Sequence, residues 1–146
     1  MITLRPATLD TVRPLRLRAL REDPDAFGST LESERCRPDA DWRFWVDDTL
    51  IAFDDDTPIG MANLKLGEPA EIFGMWVAPE ARGKGVGETL IRALLDRAGD
   101  RTVKLCVADT APAARRLYER LGFEPNGETG TLRPDSSIRT VNLVRR

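Results

Sequence analysis

Three glycines alternate with other residues in Gly83-Lys84-Gly85-Val86-Gly87, and this segment stands between an apolar stretch and an amphipathic one. Ahead of it, Ala70–Ala78 is rich in residues that suit a pleated surface, which predicts a strand. Behind it, Leu90, Ile91, Leu94 and Leu95 form one apolar stripe opposite Glu88, Arg92, Asp96 and Arg97. That spacing predicts a helix from Gly87 to Ala98, stopped by Gly99. Glycine at alternate positions lets consecutive backbone N–H groups turn toward one point with no Cβ in the way. The helix mouth adds its own unpaired amides and the positive end of its dipole. Strand, loop and helix together make an anion site. Arg82 and Lys84 add side-chain charge, and a diphosphate is the natural guest.

Two common diphosphate loops do not fit. The GxxxxGK[ST] pattern fails because Lys84 lies inside the glycines and is followed by Gly85 rather than Ser or Thr. The dinucleotide fingerprint GxGxxG fails because the spacing here is GxGxG and the preceding strands read as antiparallel neighbours.

Those neighbours follow from the rest of the chain. Ile2–Arg5 alternates apolar and polar and reads as a strand, then Val12, Leu15, Ala19 and Leu20 recur at helical spacing behind a cap at Thr8 or Asp10. Asp23–Asp41 is polar and turn-rich, and Asp41 is placed to cap a helical stretch with Trp42, Trp45 and Val46. Leu50–Phe53 and Ile59–Leu66 read as a hairpin around Asp54–Pro58. Val103–Val107 reads as a strand and Ala111–Leu121 as a helix closed by Gly122. Glu128–Arg133 with Ile138–Val144 reads as a last hairpin. The order β-α-α-β-β-β-α-β-α-β-β predicts an α/β fold: one domain over residues 1–146, a mixed sheet with helices on its faces.

Composition removes whole classes of chemistry. The chain has no histidine, so a Ser-His-Asp or Cys-His nucleophile, an HExxH metal helix and a histidine-ligated zinc are all impossible. Basic and acidic residues, 22 against 24, leave no positive field to draw the chain onto nucleic acid. Cys36 and Cys106 stand far apart, which argues against a disulfide framework or a thiolate metal site and fits a reducing cytoplasm. Cys106, inside a predicted strand, reads as a core residue. No apolar signal core opens the chain and no apolar run approaches the ~20 residues that span a bilayer, so neither export nor membrane insertion is expected.

Arg82-x-x-Gly85-x-Gly87, preceded by Met75-Trp76-Val77-Ala78-Pro79, resembles the acetyl-CoA-binding signature of the GCN5-related N-acetyltransferase (GNAT) superfamily. Leu117-Tyr118-Glu119-Arg120-Leu121-Gly122-Phe123 is similar to the family's later helix and its ending, and Ile2-Thr3-Leu4-Arg5-Pro6-Ala7 to its opening. The element order is also the family's. The resemblance therefore implies a GNAT-like fold over essentially the whole chain, acetyl-CoA as cosubstrate, no metal, and acetyl transfer to the amine of a small molecule or peptide. By analogy with relatives it also implies a homodimer. A non-catalytic acyl-CoA-binding regulatory module and an O-acyltransferase are the alternatives on the same fold.

Residue by residue, the resemblance implies that the pantetheine arm pairs with the main chain of Met75, Trp76 and Val77. Backbone amides of Arg82, Gly83, Lys84, Gly85, Val86 and Gly87, with Glu88 in the next turn, would cradle the pyrophosphate. Gly74 interrupts a bulky strand and marks a place for the bulge at which strands part. Tyr118, the only tyrosine, matches the residue that protonates the departing thiolate. Where relatives carry an asparagine before the tyrosine helix, this chain has Thr110 or Ala111. Glu71 occupies the position of the general base in lysine-acetylating members. By simple alternation it shares a face with Phe73, Met75 and Val77, where apolar neighbours would raise a carboxylate's pKa. The acceptor is expected beside residues 25–30, with Trp42 and Trp45 as apolar wall and Glu32, Glu34 or Asp41 attracting a cationic amine.

Overall fold

A computed structural model of the chain describes all of residues 1–146. In chain order it contains β1 (Ile2–Pro6), α1 (Leu9–Glu22), α2 (Leu31–Arg35), α3 (Arg43–Asp48), β2 (Thr49–Asp54) and β3 (Thr57–Lys65). Then come β4 (Ala70–Val77), α4 (Val86–Ala98), β5 (Val103–Ala108), α5 (Pro112–Arg120), β6 (Glu124–Thr131) and β7 (Arg139–Arg145). Short 3-10 turns occupy Pro24–Ala26, Asp39–Trp42 and Pro79–Ala81. The strands form one sheet in the order β1-β2-β3-β4-β5-β7-β6. Every neighbouring pair is antiparallel except β4 and β5, which α4 connects. The expected mixed sheet is therefore present.

Two apolar layers hold helices to the two faces. On one, Leu90, Ile91 and Leu94 of α4 are fully buried against Ala62, Leu64, Ile72, Leu105 and Leu143 from the sheet. Each such side chain contributes about 1.5–3 kcal/mol by leaving water. On the other, Val12, Ala19 and Leu20 of α1 meet Trp42, Trp45, Ile51, Met61 and Trp76. Helix α1 starts at Thr8, whose backbone N–H donates to Thr11 Oγ1 at 2.9 Å.

Several sequence expectations shift. The helical stretch attributed to an Asp41 cap is a 3-10 turn followed by α3, with Asp41 inside the turn. Trp42 and Trp45 are core residues at 0% and 6% exposure rather than walls of an open site. Cys106 is in a strand but exposed, because the β5 face opposite α4 has no helix over Cys106. The last hairpin begins earlier, at Glu124, in a strand whose every residue is exposed.

Candidate active site

Strands β4 and β5 pair only at their beginnings, Ala70 with Val103 and Glu71 with Lys104, and then diverge. The divergence follows from a bulge. Against β3, Asn63 faces Phe73 and Met61 faces Trp76, so β4 spends one residue more than its partner between the two pairs. Gly74 takes up the extra length at φ +60°, and a Cβ there would lie 2.6 Å from the Trp45 ring. Glycine is required twice, by conformation and by space. Beyond the bulge, Ala78 N–H donates to Ile59 O on β3 at 2.8 Å. Alternation then sends the main-chain groups of Met75 and Val77 toward the gap, an open strand edge.

The loop behind this edge is a row of free donors. None of the six consecutive amides from Gly83 to Glu88 has a main-chain partner; pairing resumes at Thr89, which donates to Gly85 O at 3.0 Å. Gly83 and Gly85 hold φ near +80°, and a Cβ on either would project into open space. Gly85 is the N-cap of α4. Gly87 instead sits tight, 3.2 Å from Leu117 Cδ2 by the same measure, which lets α5 approach. Lys84 is exposed and in no ion pair, while Glu88, an anion beside this cradle, is bound by Arg120 at 3.1 Å and Arg92 at 3.2 Å. Those hydrogen bonds, Arg120 first, hold the Glu88 carboxyl below its ordinary pKa.

Arg82 does not reach into the open. Its Nε donates to Val77 O at 2.9 Å and its Nη2 to Asp23 Oδ2 at 2.8 Å, which ties the loop to the end of β4 and to α1.

Edge and loop line one groove of about 740 Å³. Met75, Trp76 and Val77 form one wall, and Thr110, Ala111, Pro112, Ala114 and Leu117 the other. All the expected cofactor residues except Lys84 reach its lining. Glu22, the last residue of α1, and Asp23, Pro24, Asp25 and Ala26 after it also line the groove. Tyr118 is buried under α5 with its ring edge-on to Phe123 at 5.9 Å. Burial drives its pKa upward, which keeps the phenol protonated.

Glu71 lies elsewhere. Ile72, Met75 and Val77 pack on the α4 side of the sheet, whereas Phe73 and Trp76 pack on the α1 side. The bulge reverses the phase of alternation, so Glu71 shares a face with Phe73 and not with Met75 or Val77. Its carboxylate sits 3.4 Å from Lys104 Nζ and outside the groove lining. Of the expected acceptor residues only Asp25 and Ala26 line the groove. Glu34 is instead buried beneath Arg16, which donates to it from Nε at 3.1 Å and Nη2 at 2.9 Å. In the sequence Asp23 appears only as the start of the polar stretch Asp23–Asp41 and not as a site residue; its only further signal is its place at the end of an amphipathic helix.

A model of the acetyltransferase (GNAT) family matches residues 13–123, more than half of the chain. The chain belongs to the GNAT family. Among curated GNAT relatives, mycothiol acetyltransferase of Beutenbergia cavernae is 35% identical over 121 residues, 76% of this chain and 39% of that protein. The chain spans between about a quarter and a half of the length of the first curated relatives it matches. The structure of yncA from Salmonella typhimurium, determined with its cofactor acetyl-CoA, superposes with TM-score 0.79 at 17% identity, covering 100% of this chain and 94% of that one. A GCN5-related N-acetyltransferase from Kribbella flavida gives 0.76 at 24%, over 99% and 96% of the two chains. At those identities the likeness is one of fold.

Proposed function

We propose that this GNAT chain transfers an acetyl group from acetyl-CoA directly to a primary amine. The observation that carries the reading is the row of six unpaired amides, five of whose residues line the same groove as the free edge of β4. Such a row suits a diphosphate, and a free strand edge suits an extended amide-bearing arm. Acetyl-CoA supplies the activated acyl thioester. Main-chain donors of β4 polarise the carbonyl oxygen, and Tyr118, protonated because it is buried, gives its proton to the departing sulfur. Glu71 takes the amine proton through water in this proposal, its support being that it is the last residue paired before the strands part. Glu71→Gln tests that role alone: an intact turnover removes Glu71 from the reaction.

The acceptor is an amine on a small molecule or peptide. Several relatives carry the name mycothiol acetyltransferase, which puts that acceptor into the panel to be tried. The resemblance carries a cytoplasmic homodimer with it, and sedimentation at micromolar concentration tests the pairing. Calorimetry with coenzyme A comes first; thiol release from acetyl-CoA over polyamines, amino acids, aminoglycosides and peptide N-termini follows. An absence of heat with coenzyme A defeats the proposal, and release with alcohols but no amine redirects it to O-acyl transfer.

A further inference from the structure

Asp23 is an anomaly on two counts. It is an anion on the wall of a groove whose other end is built for an anion. It is also the C-cap of α1, its N–H donating to Ala19 O at 2.8 Å, where the helix dipole presents its negative end. A carboxylate there opposes the helix dipole rather than helping the helix. Its partners explain it. A single oxygen, Oδ2, accepts from Trp76 Nε1 at 2.7 Å and from Arg82 Nη2 at 2.8 Å. Burial alone would raise its pKa, but these two donors outweigh burial and hold it below the ordinary value.

The three residues come from three parts of the site. Trp76 stands between Met75 and Val77 on the open-edged strand, Arg82 immediately precedes the amide row, with its own N–H donating to Pro79 O at 3.3 Å and its side chain to Val77 O, and Asp23 leads into Pro24–Ala26 on the groove wall. A second clamp runs alongside. Arg18 on α1 lies 5.3 Å over the Trp76 ring and holds both oxygens of Glu80 at 2.8 and 3.0 Å.

We infer that Asp23 is a positioning residue for coenzyme binding: acting through Arg82 and Trp76, its carboxylate fixes the amide row against the open strand edge and so strengthens the grip on an anion. The inference rests on the reading of the groove as a coenzyme A site. It makes a prediction opposite in sign to plain electrostatics. Removing a negative charge from the wall should tighten an anionic ligand by Coulomb's law. Releasing a strut should loosen it.

The test is calorimetry with coenzyme A on wild type, Asp23→Asn, Arg82→Met and the double variant. Asp23→Asn is expected to weaken binding about tenfold, with the double variant no weaker than Arg82→Met, since residues that act through one another are not additive. Trp76→Phe, which keeps an aromatic side chain but loses the indole donor and one ring of volume, supplies a second variant should Asp23→Asn fold poorly; it is expected to weaken binding about threefold, ~0.65 kcal/mol. Wild type that does not bind overturns the function proposal. Wild type that binds, with Asp23→Asn or Trp76→Phe binding equally well or more tightly, overturns the positioning role alone. A lower melting temperature with unchanged affinity per folded molecule has the same consequence.

Discussion

The two ends of the groove are built by different means. The amide row from Gly83 to Glu88 is main chain: its donors exist because glycines turn the backbone and a helix begins, and no distant residue needs to supply them. The wall at the end of α1 is side chain, held through contacts to residues more than fifty positions away, such as Asp23 to Trp76 and Arg82. A backbone site tolerates substitution of most side chains around it, whereas a side-chain site changes with each of them.

The largest expected break in this contrast is Tyr118→Phe, because the proposed acid is a single side-chain hydroxyl, buried under α5 and outside the groove lining, beside a site that is otherwise backbone. Turnover is expected to fall on the order of 10²–10³-fold with coenzyme A affinity unchanged. The pH dependence has a defined sign. Burial raises the phenol's pKa above 10, so the acid form persists and no alkaline limb due to Tyr118 should appear in turnover below about pH 10. A limb between pH 8 and 9 that vanishes in the phenylalanine variant would contradict this. Unchanged turnover in that variant would remove Tyr118 from the reaction, whereas coenzyme A binding without turnover on any acceptor, in wild type and variant alike, would favour an acyl-CoA sensor over an enzyme.

Next in size is Glu34→Gln, aimed at the support of the acceptor side. Arg16, stacked between Phe27 at 4.7 Å and Trp45 at 4.5 Å, would lose its charge partner while remaining buried. Its Nη1 already lacks a hydrogen-bond partner. Breaking a buried pair in this way costs about 3 kcal/mol. Urea unfolding should show that loss, with coenzyme A affinity per folded molecule retained. A parallel loss of affinity would mean that the two ends are not separable.

The same contrast explains what the sequence disclosed. Gly74, Gly83 and Gly85 announced positive-φ positions because only glycine adopts them cheaply, and the strand–loop–helix order made their meaning local. Glu71 was misplaced for the complementary reason. Period-2 alternation holds only while a strand stays in register, and the bulge at Gly74 turned Met75 and Val77 to the other face. In the sequence Glu34 is offered as a lure for a cationic amine and Arg16 has no role, since nothing in their own segments shows that each meets the other. The first half of strand β6, Glu124 to Gly127 with Pro125 and Asn126, carries no strand pattern; pairing with β7 makes it one.

Gly85→Ala probes the backbone end directly. A Cβ at φ +80° costs about 1 kcal/mol of stability and projects into the open space before the amide row. Coenzyme A should bind about tenfold more weakly, ~1.4 kcal/mol. Affinity equal to wild type would mean that the phosphates lie elsewhere.

Lys84→Ala should have the smallest effect, and its smallness is the point. Lys84 is the loop's one cation without an ion pair, yet it is exposed, so its attraction for a phosphate acts through water and is screened beyond ~8–10 Å at ordinary salt. The variant should bind coenzyme A about threefold more weakly at low salt, with the difference closing by about 0.5 M sodium chloride. A site held by backbone donors loses little else when a side-chain charge goes. A tenfold or greater loss that persists in high salt would show that the lysine, not the amide row, grips the anion, and the division between a main-chain end and a side-chain end would fail at its firmer half.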